Sequence, residues 1–191
     1  MPVKSDYLLS QFIFCSLVVF LSGCVSKVSS IKVDADLPLE EGEGYLLMSV
    51  ETNVQLQSLS ILGEENVKLT ENDLKKGSNY ILIDLPSGDY KISKVTKSHW
   101  YSHSYVKLDE KYWSFQIKPN VVSYIGHLNV KSNYWMTEGY FVLNNKSSYA
   151  LEFMEQQFPN ILEKRTLAYQ GPGKDDFLNY INATRIQGEK K

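Results

Sequence analysis

From residue 45 to about residue 143, hydrophobic and polar positions alternate with a period of two, the pattern of half-buried β-strands. Leu46, Met48 and Val50 alternate with Tyr45, Leu47 and Ser49, and Val54 and Leu56 continue the pattern after Thr52-Asn53. The phase shifts at Leu59 and Ile61, which predicts a β-bulge. Residues 79–85 are apolar on both faces and read as a central strand. Trp113, Phe115 and Ile117 alternate with Tyr112, Ser114 and Gln116. Val122, Tyr124, Leu128 and Val130 share a face with Gly126, which sets His127 on the opposite face with Ser123, Ile125 and Asn129. Closely spaced strands without intervening helices predict an antiparallel all-β core. Pro86 pre-sets the turn in Leu85-Pro86-Ser87-Gly88-Asp89-Tyr90, Asn120 takes the left-handed conformation in Lys118-Pro119-Asn120, and Asp109-Glu110 reads as a hairpin turn.

The period then lengthens. Residues 146–182 read as helices packed on the sheets. Ser148 is the expected N-cap, Ala150, Leu151, Met154 and Phe158 form the buried stripe, and Pro159 is the stop. Residues 175–181 make a second short helix with Asp175-Asp176 as its first-turn charge, and residues 183–191 read as a disordered tail. Ahead of the strands, residues 25–43 are rich in Ser, Asp and Glu and show neither period. They read as a flexible spacer whose ends sit about 25 Å apart as a random coil. The alternative is an edge strand at Ile31-Lys32-Val33.

The first 24 residues differ from all of this. After Lys4 and Asp6, Phe12 to Leu21 form one apolar run, too short to cross a bilayer and right for the hydrophobic part of a signal peptide. It ends at Leu21-Ser22-Gly23-Cys24, which resembles the lipobox of bacterial lipoproteins at all four positions. That resemblance implies cleavage after Gly23, removing residues 1–23, and diacylglycerol (palmitate-type) acylation of Cys24. The domain of residues 44–145 would then follow a lipidated tether, residues 24–43. Val25 follows Cys24 where an inner-membrane retention signal would place Asp, so the resemblance implies the outer membrane and its periplasmic face. Cys15 leaves with the leader, so the remaining cysteine is the acylated one and no disulfide forms.

A second resemblance covers about residues 45–130. "LPSGDY" followed by "FQIKPNVVSYIG" is similar to transthyretin-like (prealbumin-like) and carboxypeptidase-regulatory-like β-sandwich domains of small bacterial lipoproteins, with Asn120 where glycine is commoner. It implies a mainly β fold, an antiparallel β-sandwich with a C-terminal helical segment, and carries no activity with it.

Composition narrows the function classes. The 191 residues are 43% hydrophobic and 22% charged, a globular balance with room for one domain. Twenty basic against 22 acidic side chains leave a net charge of −2, so no partner is expected among nucleic acids. His99 and His103 flank Trp100-Tyr101-Ser102 at a spacing that converges on a metal only in a helix, and this segment reads as a loop. His127 has no Gly-x-Ser-x-Gly elbow to serve. The paired carboxylates sit in turns or at a helix start, so no metal, cofactor or catalytic residue is expected.

What remains is aromatic. Trp100, Tyr101, Tyr105, Tyr112 and Trp113 cluster along the chain, and Tyr134-Trp135 follow. Trp113 belongs to the core by alternation. Trp100, Tyr101, Tyr105, Tyr134 and Trp135 form the candidate binding surface for an envelope protein, or alternatively for a glycan such as peptidoglycan. The expectation is a membrane-anchored, non-enzymatic binding or accessory module.

Overall fold

A computed structural model describes residues 25–35, 39–98, 103–133 and 138–188. In chain order the strands are β1 (Ser26–Val28), β2 (Glu43–Thr52), β3 (Leu56–Leu62), β4 (Val67–Thr70), β5 (Gly77–Pro86), β6 (Gly88–Ser98), β7 (His103–Lys107), β8 (Ser114–Ile117), β9 (Val121–Ser132), β10 (Gly139–Asn144) and β11 (Thr166–Tyr169). The helices are α1 (Ser147–Gln157), α2 (Pro159–Lys164) and α3 (Asp176–Gly188). Sheet A runs β1-β4-β3-β6, and β7 and β8 share the far edge of β6. Sheet B runs β5-β2-β9, and β10 and β11 share the far edge of β9.

The protein is mainly β in a sandwich-like arrangement, with the helices forming a third layer. Leu46, Met48 and Ile83 of sheet B meet Leu59, Ile61 and Val95 of sheet A in one core. On the other face of sheet B, Tyr45, Leu47, Leu82 and Tyr124 meet Ala150, Met154, Ile161 and Leu178 in a second core. Covering both faces of sheet B explains why β2 and β5 are apolar at successive positions. Each large side chain so buried contributes about 1.5–3 kcal/mol relative to exposure.

Three sequence expectations change at this level. The sheets are mixed, because β1 pairs with β4, β2 with β9 and β11 with β9 in parallel. Strands β2 and β9 are not joined by a hairpin: β3 and β4 of sheet A, β5 of sheet B and β6 to β8 of sheet A lie between them in the chain, so nothing imposes a reversal. Strand β5 is not central: among the described strands it pairs only with β2, and its apolar faces reflect the two cores. Asp109 and Glu110 do not turn a hairpin. Strands β7 and β8 lie one after the other along β6, and a single 3₁₀ turn, Lys111–Trp113, connects them while Trp113 drops into the core.

The segment read as a spacer is docked along its described part. Ser26 donates its N–H to the Asn66 carbonyl at 2.9 Å, where β1 adds to β4. Ser30 Oγ accepts the Leu82 N–H at 3.1 Å and Ile31 N–H reaches the Leu82 carbonyl at 2.8 Å, which occupies the open edge of β5. The Asp34 carboxylate then accepts the N–H groups of Asn160 and Ile161, at 2.8 and 3.2 Å, capping α2 from outside it. Each neighbour takes only one to three residues, so no period arises in the sequence.

The expected bulge in β3 is present: its register against β6 shifts between Leu56 and Ser58 and again between Ser60 and Ile61. A second bulge was not expected. The β2–β9 register slips between Leu47 and Met48, with Gly126 at φ 125°. This inverts the alternation of β9. Ile125 joins Leu128 and Val130 in the core between the sheets, while Val122 and Tyr124 face the helices. Asn120 has φ 59°, as its turn demanded. At α1 the capping residue is Lys146 and not Ser148. Asn145 Oδ1 takes the Ser147 N–H at 3.0 Å, Pro159 ends α1 and opens α2, and α3 continues as far as Gly188.

Candidate functional site

Gly23, Cys24, His99, Trp100, Tyr101, Tyr134 and Trp135 lie outside the described residues, and of the candidate surface only Tyr105 is described. Tyr105 is exposed on β7, with Lys94 Nζ 5.7 Å from its ring centroid. The strand ends flanking the two aromatic segments are near one another. Asn53, after β2, donates Nδ2 to the Ser132 carbonyl and accepts the Ser132 N–H, both at 3.0 Å. Three residues further on, Leu56 pairs with Lys97. The ends of β6 and β9 therefore stand at the same end of the molecule, within about 20 Å by chain length and strand spacing.

The β9 bulge builds a polar cluster that sequence reasoning missed. It turns His127 onto the helix side of sheet B, where β2 presents Ser49 and Glu51. His127 is 6% exposed and its Nε2 lies 3.1 Å from Glu51 Oε2. Asn129 Nδ2 donates to the same oxygen at 3.4 Å, and Lys146 Nζ is 3.8 Å from it. Burial pushes the His127 pKa down more than the Glu51 hydrogen bond lifts it. The His127 hydrogen bond holds the Glu51 carboxyl below its usual range. The imidazole is thus neutral at pH 7, with its proton on Nε2 facing a carboxylate. His127 Nδ1 and Asn129 Oδ1 are buried with no partner among the described residues. Tyr80 meets the His127 ring edge-on at 6.5 Å and stacks on Phe153 of α1 at 4.2 Å.

The cluster sets a carboxylate, a neutral imidazole and a carboxamide side by side. Ser49 stands directly across from His127 in the β2–β9 register, so Ser, His and Glu are neighbours. Acyl transfer requires the hydroxyl to bond the imidazole and to face substrate. Ser49 is fully buried, and its hydroxyl approaches that of Ser78, at 3.5 Å. Glu51, 40% exposed, is the member that reaches solvent.

A second polar group is structural. Buried Asp175 caps α3 by accepting the Leu178 N–H at 2.6 Å and binds Asn145 Nδ2 at 2.8 Å and the Ser147 hydroxyl, tying α3 to the start of α1. A shallow cleft of about 390 Å³ lies over this junction. A wider one of about 740 Å³ opens against sheet A beside Tyr90, Phe115 and Gln170. Among the described residues, no three His, Cys, Asp or Glu side chains gather for a metal, and no helix is long and apolar enough to cross a membrane. Compared with protein-family profiles, curated proteins and solved structures, the chain matches none.

Proposed function

We propose that this chain is an outer-membrane lipoprotein with a transthyretin-like sandwich, anchored by acyl groups on Cys24 after loss of residues 1–23. Its domain acts without catalysis, as a binding or accessory module for an envelope protein on the periplasmic face. The observation that carries the reading is the docking of residues 25–35. With Ser26 hydrogen-bonded to Asn66, a lipid on Cys24 is joined to the folded domain through Val25 alone, about 7 Å of chain. Ser26 is level, through Val67 and Ile61, with Ile92 of β6, so the β6 end that leads to the Trp100-Tyr101 segment lies about 20 Å further along the sheet.

A second reading, a glycan-binding module, is favoured by one feature: the Tyr80–Phe153 stack beside the solvent-reaching Glu51 carboxylate. Titration of the purified protein with peptidoglycan fragments, followed by tryptophan fluorescence, separates the two. A saturable change supports the glycan reading. A silent titration, with one envelope protein co-purifying with the lipidated form, supports the protein partner.

A further inference from the structure

The register of sheet A lines up lysines across its whole width. Lys27 of β1 is opposite Lys68 of β4, Lys68 opposite Ser60 of β3, Ser60 opposite Lys94 of β6, and Lys94 opposite Lys107 of β7. These positions alternate with Val67, Leu69, Ile61 and Val95 of the inter-sheet core, so the row lies on the outer face, away from the helices. It spans about 19 Å, the width of five strands. No ion pair engages any of the four among the described residues; Lys94 instead stands over the Tyr105 ring. Like charges directly opposite one another destabilise a sheet, and this row contains two such pairs. Lysines that merely guard sheet edges account for Lys27 and Lys107 but not for Lys68 and Lys94, which are on interior strands. Asp89, hydrogen-bonded by Gln116 at 3.2 Å, is a carboxylate at the margin of the same face.

We infer that this lysine row is a docking surface for anionic phospholipid headgroups, and that the outer face of sheet A rests on the bilayer. The charge calls for a polyanion. The choice of a membrane rests on the Cys24 reading, because the chain enters this face at Lys27, three residues after the anchor. The diacylglyceryl group holds the chain at the bilayer, and a basic face beside it adds an electrostatic attachment that sets how the domain lies there. Each lysine at an anionic surface raises binding roughly fivefold.

The test is amine-reactive footprinting of the full chain purified from membranes, read by mass spectrometry in three settings: phosphatidylglycerol-rich vesicles, pure phosphatidylcholine vesicles, and detergent. The surface predicts severalfold protection of Lys27, Lys68, Lys94 and Lys107 with the anionic vesicles alone, lost at high salt, with Lys174 unchanged. The double variant K68E/K94E, checked for fold by circular dichroism, is expected to lose protection at Lys27 and Lys107. Equal labelling in all three settings overturns the inference, as does protection by soluble polyphosphate and not by vesicles. The N-terminal peptide in the same spectra decides the acylation of Cys24 separately, so a bare thiol with a protected row removes the anchor and keeps the surface.

Discussion

The Tyr112 hydroxyl donates to the Leu143 carbonyl at 2.6 Å and accepts the Leu143 N–H at 3.1 Å. One side chain from the 3₁₀ turn between β7 and β8 thus satisfies both backbone groups of Leu143 on the edge of β10 in sheet B. With residues 25–35 closing the β4/β5 side, both flanks of the sandwich are tied. Tyr112→Phe keeps the ring and removes both bonds. It is expected to lower stability by about 1–2 kcal/mol, read as a shift in the urea midpoint at unchanged slope.

Gly126 carries the bulge that sets the faces of β9. Its φ of 125° disfavours any side chain, and an added Cβ would lie 2.9 Å from Leu143 Cγ. Gly126→Ala is expected to destabilise by about 2–4 kcal/mol, measured by thermal or chemical unfolding. A neutral result would mean that β9 can run without the bulge.

Asp34 stands far from α2 in sequence yet caps it. Asp34→Ala is expected to lower stability by about 1 kcal/mol. Hydrogen exchange is expected to speed up across residues 25–35 and at the start of α2, with the β2 amides unaffected. Uniform acceleration across the domain would instead mark Asp34 as part of the global fold.

The His127–Glu51 pair predicts acid sensitivity in two stages. Folded His127 has a pKa below its ordinary 6.5, so the unfolded chain takes the proton first. Stability is full above about pH 6.5 and falls as the pH drops toward the folded value. Folded Glu51 has a pKa below its ordinary 4.5, so its share is present above that pH and is lost on further acidification. Urea midpoints taken from about pH 8 down to about pH 3 are expected to decline in that order, and His127→Gln is expected to abolish the first stage. A wild-type profile flat through pH 6.5 would contradict the assignment of a neutral buried imidazole.

Much of the β architecture was written in local pattern. Alternation located the strands around Leu46, Leu56 and Phe115, the phase slip at Leu59 marked its bulge, and Asn120 announced its left-handed turn. Local pattern does not say which strands become neighbours, so the parallel pairing of β2 with β9 and the edge position of β5 were out of reach. His127 does lie opposite Leu128 and Val130, but the faces of Val122, Tyr124 and Ile125 were misjudged, because a bulge at Gly126 leaves no mark in a strand that is apolar on both sides. Residues 25–35 carry no period because they touch three different partners in turn. The lysine row was invisible for a related reason. Its members lie far apart in the chain and meet only through register, while a net charge of −2 averages them away.

The central claim is that a lipid on Cys24 anchors a domain that begins two residues later. Mass spectrometry of the amino-terminal peptide from protein extracted from its native membrane tests it most directly. The account predicts a chain that starts at Cys24 and carries a thioether-linked diacylglyceryl group. A free Cys24 thiol, or a chain still bearing residues 1–23, would contradict it.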